Sequence, residues 1–236
     1  MRLIVTRPEP DAARTADALV ALGHVPILSP MLDIVRESPG PLPSGCQAIA
    51  ATSANAIRAL AAHPDVATIR NLPLFAVGDR SALEARRAGF VAARSAGGGL
   101  PDLCAMIVSD LNPAEGSILY AAGDVRSGDL AAGIGAADFD VVTAILYRSI
   151  ARQRLSDAAL HALRTAAVDG VLLFSARGAQ AFVAGLAADS LSPLAANVTA
   201  FAISEQAAAP LAGAFSGPVR SAARPDQIAL FALLEA

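Results

Sequence analysis

A strand–turn–helix unit is written twice in this chain, first as QAIAATSANAIRAL (Gln47 to Leu60) and again as GVLLFSARGAQAFV (Gly170 to Val183). In each copy an apolar run ends in a small hydroxyl residue, Ser53 or Ser175, and a helix-favouring segment follows at once. An apolar run without alternation predicts a parallel strand buried on both faces, and a serine at its end predicts a helix N-cap. Two more landmarks recur in the same order. Gly78 matches Ser204, and Pro101-Asp102 matches Pro225-Asp226, all at an offset of about 124 residues. Three landmarks at nearly one offset argue for two related halves, although strand–cap–helix recurs in any α/β chain.

The remaining pattern agrees with an α/β fold. Strands are predicted over 2–6, 25–29, 31–35, 71–78, 117–121, 140–150, 198–203 and 219–222. Helices are predicted from an Asp11 cap to Leu22, over 82–88, from an Asp102 cap to Leu111, over 156–166 with Ser156 or Asp157 as its cap, over 207–212, and from Arg224-Pro225-Asp226 to the end. The extended runs Pro26 to Val35 and Asp140 to Ile150 exceed ordinary strand length and are expected to partner each other. The stretch ESPGPLPSG, Glu37 to Gly45, is a loop suited to a crossing between domains.

Composition narrows the function classes. The 236 residues are 54% hydrophobic but only 4% aromatic, so alanine and aliphatic side chains must build the core. A formal net charge of −3 gives no basic surface for nucleic acid. The two cysteines, Cys46 and Cys104, lack metal spacing and suit a reducing cytoplasm. The N-terminal apolar run is too short for a signal peptide, and no stretch approaches the roughly 20 apolar residues of a membrane span.

In parallel α/β sheets, ligands bind outside the carboxyl ends of the strands. That edge is expected to carry Thr6-Arg7, Thr52-Ser53, Gly78 to Ser81 (with Arg80), Gly123 to Arg126, Ser175 to Arg177 and Ser204-Glu205. A phosphate loop, a dinucleotide fingerprint in the first turn and a nucleophile elbow are all absent. His24, His63 and His161 are scattered and read as structural. What remains is a set of helix N-termini, which favour anions through unpaired N–H groups and the helix dipole, plus a few arginines. Two such sets facing one cleft would suit an extended polyanion.

The segments LIVTRPEP, Leu22-Gly23, TSANAI, LFAVGDRSA, Leu146-Tyr147-Arg148 and AISEQ occur in this order over nearly the whole chain. Together they resemble the uroporphyrinogen-III synthase family. The resemblance implies two parallel-sheet α/β domains joined by a two-stranded β linker. Domain 1 would be 1–31 with 152–236, domain 2 would be 38–142, and the linker strands 32–37 and 143–151. Domain motion about so thin a linker is expected. The implied reaction closes hydroxymethylbilane, a linear tetrapyrrole with eight carboxylates, to uroporphyrinogen III. Loss of the terminal hydroxyl gives an azafulvene cation, and a spiro intermediate inverts the last ring. Neither cofactor nor metal is implied.

By the same resemblance Thr52, Ser53, Ser175 and Ser204 bind carboxylates, and Arg80 and Ser81 lie in a matched turn. Tyr147 is the matched residue with a proton to give. Arg7 is expected to pair with a carboxylate of the substrate or with Glu9. The family's Arg-Glu after the glycine loop is replaced by Ser127-Gly128 here, with Arg126 one place earlier as the substitute. A cytoplasmic monomer without nucleic-acid or membrane partners is expected. The alternatives are a non-catalytic two-domain binding protein for a small polyanion, which usually needs a secretory signal, and a flavodoxin-like cofactor binder, which the low aromatic content disfavours.

Overall fold

The computed structural model describes residues 1–37, 40–126 and 128–235. The chain divides into two compact units, Met1–Asp33 with Ile150–Ala236, and Ile34–Ser149. It opens in the first unit with β1 (Arg2–Val5), α1 (Asp11–Ala21) and β2 (Val25–Leu28), then crosses on β3 (Leu32–Arg36). The second unit runs β4 (Cys46–Ala51), α2 (Ala54–Ala61), α3 (Val66–Ile69), β5 (Leu74–Ala76), α4 (Asp79–Arg87) and β6 (Ala93–Ser95). It continues through α5 (Leu100–Asp110), β7 (Ser117–Gly123) and α6 (Leu130–Ile134) to β8 (Val141–Ala151), which returns the chain to the first unit. There α7 (Asp157–Arg164), β9 (Gly170–Leu173), α8 (Ala176–Ala188), β10 (Thr199–Ala202), α9 (Glu205–Ala208), β11 (Val219–Ser221) and α10 (Gln227–Ala232) complete the fold.

Each unit is built on its own sheet. In the first the strand order is β11-β10-β9-β1-β2, with parallel pairing throughout. In the second the order is β3-β8-β7-β4-β5-β6, with parallel pairing from β8 to β6. Apart from β3 the two orders are the same once the first unit is read from β9 and continued through β1 and β2. Then β9, β10, β11, β1 and β2 correspond to β4, β5, β6, β7 and β8. In this arrangement the connections leave in opposite directions at β4/β7 and at β9/β1, the kind of switch point outside which parallel α/β sheets bind ligands.

The central strands are apolar without alternation because helices cover both faces. In the second unit Ile49, Ala51, Ile57, Leu60 and Phe90 are buried on one face, and Phe75, Leu103, Ile107 and Tyr120 on the other. Arg58 bridges α2 to α4 through both oxygens of Glu84, at 2.9 and 3.2 Å. In the first unit Ile4, Val171, Leu173, Phe182 and Leu186 pack on one face, and Leu3, Val5, Leu172 and Leu230 on the other.

Several boundaries differ from the sequence reading, each for a local reason. Asp102 does not cap the fifth helix from outside. It lies inside α5, and its Oδ2 accepts the Gly99 N–H at 2.7 Å, so the helix starts three residues earlier. Its counterpart Asp226 is a true N-cap, accepting from Ala229 N–H at 2.8 Å. Asp11 is the first residue of α1 and Pro10 precedes it as the cap position. The segment 207–212 breaks after Ala208 into a 3-10 turn over Ala209–Leu211, because Pro210 cannot donate inside a helix. The short elements α3 and β6 carry too few residues for a periodic signal. Ser38 and Pro39 of the Glu37 to Gly45 loop lie outside the described residues, as does Ser127.

Candidate active site

In the second unit the switch point falls between β4 and β7. β4 ends at Ala51, and Thr52-Ser53 turn the chain into α2. Ser53 is extended (φ −148, ψ 149), and its Oγ accepts the Ala56 N–H at 3.0 Å. This is the predicted N-cap. β8 approaches from beyond β7, and the β7–β8 register slips at one place. Ala122 faces Ile145, but Gly123 faces Tyr147. The extra residue makes a β-bulge, which re-aims the side chains that follow it. The ring of Tyr147 thereby lies over Gly123, and its phenol oxygen sits 3.0 Å from Ser53 Oγ.

Asp124 fastens this arrangement. Its N–H donates to the Tyr147 carbonyl at 3.0 Å, and its Oδ1 accepts the N–H groups of Val125 at 2.9 Å and Ser149 at 3.1 Å. The backbone is therefore held on both sides of Arg148, immediately after Tyr147. The side chain is 7% exposed. Burial, the largest influence, pushes the phenol above its usual range, the Ser53 hydrogen bond pulls it back, and Asp124 and Tyr120 add smaller upward effects.

A second phenol converges on the same turn. Tyr120 on β7 is 1% exposed, and its oxygen lies 3.1 Å from Thr52 Oγ1. The chain has two tyrosines, and both reach these adjacent hydroxyls. Sequence reasoning passed over Tyr120. The available signal was its place on the strand preceding Gly123, which topology sets beside β4. Ser81 is buried in the first turn of α4, whereas Arg80 and Arg126 are exposed on the same strand-end edge. The structure thus brings Ser53 and Tyr147 into contact, sets Thr52 against Tyr120, and leaves Arg80 and Arg126 at the surface.

The corresponding switch point of the first unit lies between β9 and β1. Ser175 caps α8, accepting from Gly178 N–H at 3.1 Å, and Ser204 caps α9, accepting from Ala207 N–H at 3.2 Å. Thr6 Oγ1 donates to the Leu172 carbonyl at 2.7 Å and ties β1 to β9. Arg7 is 7% exposed. Its guanidinium lies 4.2 Å from the centre of the Phe174 ring and donates to Thr15 Oγ1 and Gln227 Oε1 at 3.0 and 3.1 Å. Among the described residues it makes no ion pair with Glu9, whose Oε2 accepts the Ala13 N–H at 3.1 Å. Among the described residues the hydrogen-bond partners of this buried cation are neutral.

The model of the family described as "Uroporphyrinogen-III synthase HemD" matches residues 13–232. The chain belongs to the uroporphyrinogen-III synthase family. Members are cyclising lyases of haem biosynthesis. Among solved structures, the chain is similar to the uroporphyrinogen-III synthetase of Helicobacter pylori, at 18% identity and a TM-score of 0.67, with 100% of this chain and 99% of that one covered. It is also similar to a mutant uroporphyrinogen III synthase of the extremely thermophilic bacterium Thermus thermophilus, at 16% identity and a TM-score of 0.55, with 100% and 96% covered. Identities this low establish a shared α/β fold with parallel sheets. No curated protein matches the sequence. Among the described residues no helix is long and apolar enough to cross a membrane.

Proposed function

We propose that this chain closes hydroxymethylbilane to uroporphyrinogen III chiefly by positioning it, with Tyr147 as the proton donor to the departing hydroxyl. Family membership over residues 13–232 carries the activity. The phenol held against Ser53 at the β4/β7 switch point supports the role of Tyr147. Substrate carboxylates are taken by helix N-termini and hydroxyls at the strand ends, with Thr52 and the start of α2 in one unit and Ser175 and Ser204 in the other. Arg7, Arg80, Ser81 and Arg126 supply charge and further donors along the same edges. The open chain closes spontaneously to the wrong isomer, so the enzyme must hold one conformer, and complete orientation is worth roughly 7–11 kcal/mol.

We also read the two units as copies of one ancestral domain, on the common strand order and the repeated landmarks, with β3 and β8 as a two-stranded linker. Cys46 and Cys104 are free thiols, in keeping with a reducing compartment such as the cytoplasm. The deciding assay supplies hydroxymethylbilane to purified protein without added metal or cofactor and resolves the product isomers. The type III isomer is expected. Type I alone, at the rate seen without protein, would refute the proposal.

Backbone binding has its own test at Ala176, the first residue of α8. Proline fits that position and its missing N–H breaks no helical bond. Ser175 before it is already extended (φ −165, ψ 156), as a residue preceding proline must be. Ala176→Pro should fold normally and raise KM about tenfold at constant kcat, the effect of one lost hydrogen bond to a charged group. An unchanged KM would remove this amide from binding.

A further inference from the structure

The sequence motif assigns Ser53 to a substrate carboxylate, but its surroundings give it a different task. Ser53 Oγ carries one proton and two acceptor sites. One acceptor site is occupied by the Ala56 N–H at 3.0 Å, in the first turn of α2. The other close neighbour is the Tyr147 phenol oxygen, also at 3.0 Å. While the phenol keeps its proton, either group can donate to the other. Once that proton moves toward a substrate hydroxyl, the phenol oxygen can only accept, and the serine proton stands in place to be given.

We infer that Ser53 acts on the reaction through Tyr147, as a positioning residue whose hydroxyl donates to the phenol oxygen as its proton leaves. The inference rests on the reading of Tyr147 as proton donor. In the step so described, the carbon–oxygen bond of the substrate's hydroxymethyl group breaks and its electron pair stays with oxygen. That oxygen takes the Tyr147 proton and departs as water. The substrate is left as the azafulvene cation and Tyr147 as a phenolate. The phenolate is held by the Ser53 O–H, whose oxygen in turn accepts from the helix N-terminus, where partial positive charge favours it. After ring closure, the proton lost from the pyrrole carbon returns to the phenolate.

Two features direct the pair to this task. The bulge at Ala122/Gly123 and the Asp124 contacts to the Tyr147 carbonyl and Ser149 N–H fix where the phenol points. The groups facing the phenol are Ser53 from the α2 turn, Asp124 from the loop after β7 and Tyr120 from β7. Burial, Asp124 and Tyr120 all disfavour the phenolate, and Ser53 is the group that favours it. A mere cap would have no such effect on its neighbour.

The test exploits the absence of tryptophan and the presence of two tyrosines. In a Tyr120→Phe background the ultraviolet phenolate signal reports Tyr147 alone. Ser53→Ala should raise the pH at which that signal appears by about one unit, corresponding to a factor of ten in phenolate stability. In the otherwise native chain, Ser53→Ala should lower kcat by roughly three- to tenfold with KM little changed. Ser53→Thr keeps both cap and hydroxyl, and should restore the phenol titration and kcat. Unfolding temperatures of the variants separate these effects from loss of the cap. In a Tyr147→Phe background, Ser53→Ala should cost nothing more in kcat, because the two residues act as one unit. A phenol titration untouched by Ser53→Ala, or a rise in KM alone, overturns the inference while leaving Tyr147 as proton donor. Full kcat in Tyr147→Phe overturns the proton-donor reading itself, and the inference with it.

Discussion

Tyr147→Phe should lower kcat by about a hundredfold, the smaller end of what a positioned general acid contributes, while KM changes by less than about threefold. Phenylalanine keeps the ring over Gly123 and the packing in the cluster around Ile49, Ala51 and Leu146. The Ala56 N–H still has its acceptor in Ser53. Only the phenol oxygen and its proton are lost, so the effect falls on the step in which the hydroxyl departs. The pH profile gives an independent reading. Burial holds the phenol above its ordinary value of 10.0, so it stays protonated through the neutral range. The native enzyme should therefore hold its kcat into the alkaline range and lose it as pH rises through that elevated value. The phenylalanine variant, already without the proton, should lack that limb. Its slower turnover should also let spontaneous closure compete, so type I isomer accumulates. Steady-state kinetics with isomer analysis checks all three, and a phenylalanine variant at full kcat would take tyrosine out of the mechanism.

Much of the fold was legible because each strand end combines an apolar run with a capping residue. Ser53 and Ser175 cap helices in the predicted places, Ser156 takes the cap position left open between it and Asp157, and Ser204 caps α9, which starts at Glu205 instead of Ala207, each accepting from the N–H three residues on. Asp102 shows where such reading stops. An acidic residue after glycine and proline serves equally well outside a helix or at its third position, and only the backbone decides between them. The candidate site was half legible. Thr52, Ser53 and Tyr147 could be named from motif order, but their convergence depends on strand order in the sheet and on a one-residue slip between β7 and β8. Periodicity cannot register such a slip, because a single extra residue leaves no gap in an apolar run. Tyr120 went unnoticed for the same reason, since its partner Thr52 is sixty-eight residues away in sequence. Arg7 was foreseen as a charge at a strand end. Its cover by Phe174, supplied by the end of β9 from the far side of the chain, was not.

The bulge makes a further variant as damaging as loss of the phenol. Gly123→Ala should cost kcat about a hundredfold, because misplacing a catalytic group by roughly 1 Å can have that effect. A Cβ built on Gly123 would lie 2.5 Å from Tyr147 Cζ, 2.8 Å from its phenol oxygen and 2.9 Å from Cε1. Such separations force the ring aside. Tyr147 is buried, and its backbone is pinned by Asp124, so the displacement must come from rotation of the side chain away from Ser53 or from opening of the bulge. Either path breaks the 3.0 Å hydrogen bond to Ser53. Overpacking of this kind typically destabilises a fold by about 1–3 kcal/mol. The two consequences separate in a second background. With Tyr147→Ala the ring is gone, and Gly123→Ala should then lose its destabilising effect in denaturant unfolding and cost no further activity. Equal unfolding penalties in both backgrounds would place the strain elsewhere in the β7–β8 pairing. A Gly123→Ala enzyme with native kcat would show that the phenol does not need this position.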